Sequence, residues 1–254
     1  MQQVCGTTDI MRSIFAFQPG YPQPMLPFIQ YFDANLEALD EILRSYLDME
    51  SRLSPYRVDS LLYYFPQLAH NFYCYAVWAE NLDLLGLMLQ RGMTMLYHAT
   101  EIAAFLGRVK VLTYLEEHNL ATYSTQTLNW ACRQGHFNAV EFLHPHIAMG
   151  DTVAMDAAAT NGHFEIVKFL HVYRDEGCTT TAMDQAAANG HLEIMKFLHY
   201  NRTEGATTKV MTLAASHGHL DVVKFLYEHR SEGCTLRALH GSRESKYRLH
   251  NQSR

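Results

Sequence analysis

The sequence predicts an all-α solenoid: helix–turn–helix units stacked in single file, with a helical cap at the N-terminal end. Three observations predict it. AATNGHFEIVKFLH, from Ala158 to His171, recurs as AAANGHLEIMKFLH from Ala186 to His199 and as AASHGHLDVVKFLY from Ala214 to Tyr227. The glycines of the Gly-His pairs, Gly162, Gly190 and Gly218, stand 28 residues apart; Gly135-His136 lies 27 earlier, Gly107-Arg108 another 28, and Glu80-Asn81 holds the same slot 27 before that. A fixed period of this length marks a repeat architecture whose units bury their apolar faces against one another. Finally, a chain of 254 residues that is 48% hydrophobic and 18% charged has the composition of a packed protein rather than a disordered one.

The elements follow from N to C. Residues 1–66 hold six of the seven prolines, which sets them apart as a separate region. Within it, Leu36, Leu39, Leu43 and Tyr46 fall on one helical face and predict a helix over 33–49, and VDSLLYYF at 58–65 predicts another. They are read as the cap that covers the first unit, because repeat arrays need their terminal faces shielded. Six units follow, at 67–93, 94–121, 122–148, 149–176, 177–204 and 205–232, and they grow less regular toward the N-terminus.

The clearest unit, GCTTTAMDQAAANGHLEIMKFLHYNRTE at 177–204, divides into two short helices. Thr180 is the expected N-cap of the first; Met183, Ala186 and Ala187 then share one face, and Asn189-Gly190 ends it, with glycine suited to a left-handed C′ position. The second begins near His191, carries Glu193 in its first turn, and has His199 and Arg202 near its end, in keeping with the helix dipole. Leu192, Ile194, Met195, Phe197 and Leu198 cover most of its circumference and leave Glu193, Lys196 and Tyr200 as a narrow polar stripe. Helices of about ten residues are marginal alone in water, so both need neighbours to persist. Residues 233–254 begin a seventh unit in phase, but Ser242 and Arg243 occupy the Ala-Ala slot, and an incomplete repeat with a basic tail is expected. That leaves two readings open: a truncated version of a longer array, or a bare face that makes a contact.

These residues resemble the ankyrin-repeat family. AAANGHLEIMKFL at 186–198 is similar to the second half of that family's unit; the likeness is strong over 149–232, fair over 94–148, weak over 67–93 and absent before that. Two departures stand out. Met183-Asp184 replaces the family's Leu-His, and each unit is about five residues shorter than the usual 33. The resemblance implies a protein-binding array that uses inner helices and turns more than projecting fingers.

Chemistry finds little support. His136, His163, His191 and His219 form one column, and His144, His171 and His199 another. Stacked helices lie about 8–10 Å apart, whereas zinc ligands sit about 2 Å from their ion, so a repeated column cannot share a metal. An imidazole bonding a local backbone group in the inter-helix turn is the expected role. Glu165, Glu193 and Asp221 beside Lys168, Lys196 and Lys224 read as a solvated face of i,i+3 pairs. No paired carboxylates, phosphate loop or nucleophile signature is present, so no catalysis, no cofactor and no small-molecule substrate are expected. A net charge of −6 offers nothing for nucleic acid. The longest apolar window, 72–89, is broken by Glu80, Asn81 and Asp83, so no membrane span is expected. Five cysteines without CxxC spacing fit reduced thiols inside a cell, in the cytoplasm or the nucleus. Cys178 and Cys234 share a slot with Gly150 and Ala206 that calls for a small residue.

The expected function is binding of a partner protein without catalysis. The alternative is an adaptor or regulatory subunit that presents clients to a protein-modifying enzyme. Positions that vary between units while their neighbours stay fixed are the expected contacts: Asn129, Trp130, Arg133, Asp156, Asp184, Gln185, Thr212 and Leu213. Trp130 and Arg133 are of types enriched at binding hot spots and share a helical face, though Trp130 could equally fill a gap in a less regular unit.

Overall fold

A computed structural model describes residues 69–91 and 98–229. The expected cap helices at 33–49 and 58–65 and the incomplete unit after 232 lie outside them. The described residues form helices and no strands. In order they are α1 (Ala69–Trp78), α2 (Leu82–Gln90), α3 (Ala99–Phe105), α4 (Val109–Glu117), α5 (Thr125–Gln134), α6 (Phe137–Leu143), a 3₁₀ turn (His144–His146), α7 (Val153–Thr160), α8 (Phe164–Tyr173), α9 (Thr180–Ala188), α10 (Leu192–Asn201), α11 (Val210–Ser216) and α12 (Leu220–His229). Each pair falls at the phase of the 27–28-residue period. Contacts divide the chain into two compact units: Met1–Ala103 with Lys110–Ala121, and Ala104–Val109 with Thr122–Arg254.

In the first unit, α1 buries Phe72, Tyr73, Cys74, Tyr75, Ala76 and Val77 in succession. Asn81 caps α2, its side chain accepting from the Leu84 N–H at 2.9 Å, and Leu84, Leu85 and Met88 form the buried face. Here Glu80 takes the left-handed position, with φ 52°, that glycine occupies in later repeats. A side chain there is strained, in keeping with the weak likeness of this stretch to the others.

In the second unit, the first helices α5, α7, α9 and α11 pack directly on one another, while the second helices α6, α8, α10 and α12 touch far less. Side-chain size explains the difference. Ala131, Ala158, Ala186 and Ala214 are fully buried and let the first helices approach closely. On the second helices, each junction is instead filled by rings. His144, His171 and His199 meet Phe169, Phe197 and Phe225 of the following helix edge to face, at centroid separations of 5.4, 5.3 and 5.5 Å.

The Gly-His pair joins the helices across units. Gly135, Gly162 and Gly190 adopt φ of 79°, 82° and 77°, a conformation that L side chains avoid. The imidazole of the next unit lies against the bare Cα: a Cβ on Gly162 would stand 2.7 Å from Cε1 of His191. His163 Nε2 reaches the Arg133 carbonyl at 3.0 Å, and His191 Nε2 reaches the Thr160 carbonyl at 3.2 Å. The imidazoles were expected to bond within their own turn. They bond instead to the open carbonyl end of the preceding unit's first helix, where acceptors are left over.

Two smaller differences have physical causes. Thr179, not Thr180, caps α9, because its hydroxyl accepts from the Thr181 N–H at 3.1 Å while donating to Asp156 of the previous unit. Arg202 does not serve its helix end; its guanidinium turns to Glu204.

Candidate partner-binding surface on the first helices

The eight expected contact residues divide into two groups. Asp156 and Asp184 reach across to the chain at the start of the next unit's first helix. Asp156 Oδ1 accepts from the Thr179 N–H at 2.8 Å, and Oδ2 from its hydroxyl at 2.7 Å. Asp184 accepts in the same way from Thr207, at 2.9 and 2.6 Å, and is only 8% exposed. Between α5 and α7 the charge has changed sides: Asn129, buried, donates from Nδ2 to Asp151 Oδ2 at 3.2 Å, while Asp151 Oδ1 accepts from the Val153 N–H at 3.0 Å. Variation at this column therefore records two ways of tying one unit to the next. The carboxylates of Asp156 and Asp184 and the amide of Asn129 are taken up by the array, which corrects the expectation that they face outward. Bonds to ionised groups are worth about 1.5–3 kcal/mol each, enough to hold the junctions in one geometry.

Trp130 is also largely inside, at 9% exposure, with its ring edge-on to Phe105 at 5.4 Å. Its Nε1 is buried without a hydrogen-bond partner. Arg133, exposed one turn later, sets its guanidinium 5.6 Å from the indole centroid, a distance at which a cation is attracted to the ring face. Trp130→Ala is expected to destabilise the chain by about 3 kcal/mol, as large core truncations do. Trp130→Phe should cost less than half as much, since no indole hydrogen bond is lost. Thermal melts followed by circular dichroism decide this; equal losses would show that Trp130 packs differently.

Gln185, Thr212 and Leu213 are half-buried and Arg133 is exposed, each on a first helix. Near the same helix ends stand Thr160 and Ser216. The electrostatics are mild. His136 is held below its ordinary pKa, chiefly by burial, with Arg108 and His163 adding to the effect and a bond to the Phe105 backbone opposing it. Burial pushes the Cys178 thiol up to about 11 and raises Cys132 as well, so neither is a thiolate nucleophile near neutral pH.

One recurring device was not anticipated. Arg174 and Arg202, each three residues before a glycine, fold back on Glu176 and Glu204. Arg174 NH1 donates to the Ile147 carbonyl at 3.0 Å, and Glu176 Oε1 accepts from the Gly150 N–H at 2.7 Å. Glu204 accepts from the Cys178 N–H at 3.4 Å. The hook closes over the slot shared by Gly150 and Cys178: a Cβ on Gly150 would lie 2.8 Å from Glu176 Oε1, and the Cys178 N–H meets Glu204 in the same way. The repeated Arg-x-Glu-Gly was its signal in the sequence.

No helix of the described residues is long and apolar enough to cross a membrane. No curated protein matches the chain. The family model for ankyrin repeats in three copies matches twice, over residues 128–206 and 154–238. Those stretches contain the tightly stacked first helices, the left-handed Gly-His corners and the Asp–Thr ties. With sequence match and helix stacking in agreement, residues 128–238 form an array of ankyrin repeats.

Proposed function

We propose that this chain holds a partner protein against the accessible side of its first helices, through Arg133, Gln185, Thr212 and Leu213, as an intracellular binding module with no chemistry of its own. Ankyrin repeats are general protein–protein interaction modules. The observation that carries the finer reading is a contrast between adjacent positions. The buried column stays alanine at Ala131, Ala158, Ala186 and Ala214, while the neighbouring column runs Trp130, Ala157, Gln185, Leu213. Packing holds the first column constant. The second varies in size and chemistry, and at Gln185 and Leu213 it is accessible to a ligand.

Arg133 is the central residue of the reading. Its guanidinium stands over a ring that the core already immobilises, which lowers the side-chain entropy lost on binding. Free, buried cysteines at Cys74, Cys132 and Cys178 support a reducing compartment. Asn129, Asp156 and Asp184 contribute from beneath, by fixing the spacing of the first helices.

Proximity labelling in the native cell tests the reading, with the intact chain compared against the Arg133→Ala, Gln185→Ala, Leu213→Ser variant. Loss of a defined set of labelled proteins, at an unchanged melting temperature, is expected. An unchanged set would overturn it.

A further inference from the structure

Among the described residues the second helices have an irregular outer corner, and Pro145 makes it. Helix α6 has 7 residues, whereas α8 and α10 have 10 each. Proline lacks an N–H and its ring clashes with the preceding turn, so the chain tightens into the 3₁₀ turn His144–His146. The last turn of α8 then overhangs its shortened neighbour. Tyr173 is left 60% exposed and Met149 83% exposed. Between them opens a cleft of about 570 Å³, walled by Pro145, Ile147, Met149 and Tyr173, within the range of about 300–1,000 Å³ typical of ligand pockets.

Its charge is lopsided. Arg174 lines the cleft, but its side chain is only 6% exposed and is consumed by Glu176 and by the His144 and Ile147 carbonyls. That pair is internally neutral. Asp175, exposed on the same wall, makes no ion pair among the described residues. The lining thus combines a sulfur-and-ring surface with one unspent carboxylate, on a chain whose net charge is −6.

We propose that this cleft binds an arginine-bearing segment of a partner protein, with the alkyl stem of the arginine along Pro145 and Met149 and its guanidinium against Tyr173 and Asp175. Arginine suits it because a planar, weakly hydrated cation stacks on a ring while pairing with a carboxylate. A phosphate backbone would meet Asp175 as a like charge. The site lies at the ends of the second helices, and it can be tested independently of the first-helix surface.

The test uses the full chain with ¹³C-labelled methionine methyls, titrated with N-acetyl-Leu-Arg-amide, its citrulline analogue and N-acetyl-Leu-Glu-amide. The Met149 methyl is expected to move saturably with the arginine peptide, about tenfold more weakly with the neutral citrulline peptide, and not with the glutamate peptide. Asp175→Lys, on an exposed side chain, should abolish the arginine response and create one to the glutamate peptide, while the methyls of buried Met155 and Met183 report an intact fold. A Met149 signal unmoved by the arginine peptide overturns the proposal. So does an equal response to arginine and citrulline, or an arginine response that survives Asp175→Lys.

Discussion

Gly162→Ala is expected to destabilise the array by about 3 kcal/mol, far more than an alanine usually costs at the end of a helix. Two effects add. The backbone stands at φ 82°, where an L side chain costs roughly 1–2 kcal/mol. The new methyl would also stand 2.7 Å from the His191 ring, which must move off and give up its bond to the Thr160 carbonyl, worth about 1 kcal/mol. A double-mutant cycle separates the two. In a His191→Ala background the ring is absent, and the penalty of Gly162→Ala should fall to its backbone part. Equal penalties in both backgrounds, read from urea melts, would mean that the imidazole does not rest on the glycine. The same argument makes the recurring histidines structural: each closes a corner between one unit and the next.

The fold was legible because its decisive residues cannot be replaced by similar ones. A left-handed corner that also receives a ring favours glycine, so Gly-His returns in four successive units, at Gly135, Gly162, Gly190 and Gly218, and announces the period. The alanines under the first helices are visible for the same reason, since any larger side chain would push the helices apart. What joins the units is harder to read. Asp156 and Thr179 are 23 residues apart in sequence, and the partners belong to different repeats. The reversed pair, Asn129 with Asp151, further disguises the column as a variable and hence exposed one. Comparing each aspartate with the threonine that opens the following unit's first helix, instead of with its own unit, would have exposed the tie. Of the eight expected contacts, Arg133 is exposed and Gln185, Thr212 and Leu213 are half-buried, and among the described residues none of these four forms an inter-unit tie of the Asp–Thr kind.

The Arg–Glu hook should show the second large effect. Arg174→Met is expected to cost about 3 kcal/mol, the lower end of what removing one partner of a buried ion pair costs. The lower end applies because the Glu176 side chain is 24% exposed and its stranded charge can reach water, whereas Arg174 at 6% cannot. Methionine keeps most of the stem's volume, so the loss reports the guanidinium and its bonds to Glu176 and the Ile147 carbonyl. Adding Glu176→Gln removes the stranded charge and should recover part of the loss. Acid offers an independent reading. The guanidiniums of Arg174 and Arg202 hold Glu176 and Glu204 at about 2, below the ordinary 4.5. A carboxylate whose folded pKa is depressed binds its proton more readily when unfolded, so its stabilisation is complete above pH 4.5 and drains away as the pH falls toward 2. Stability should therefore decline across that window in the parent chain, and the decline should be shallower in Arg174→Met, which has already lost the Glu176 share. Identical slopes for the two proteins, measured by urea melts between pH 5 and 2.5, would show that the hook contributes nothing to holding the units together.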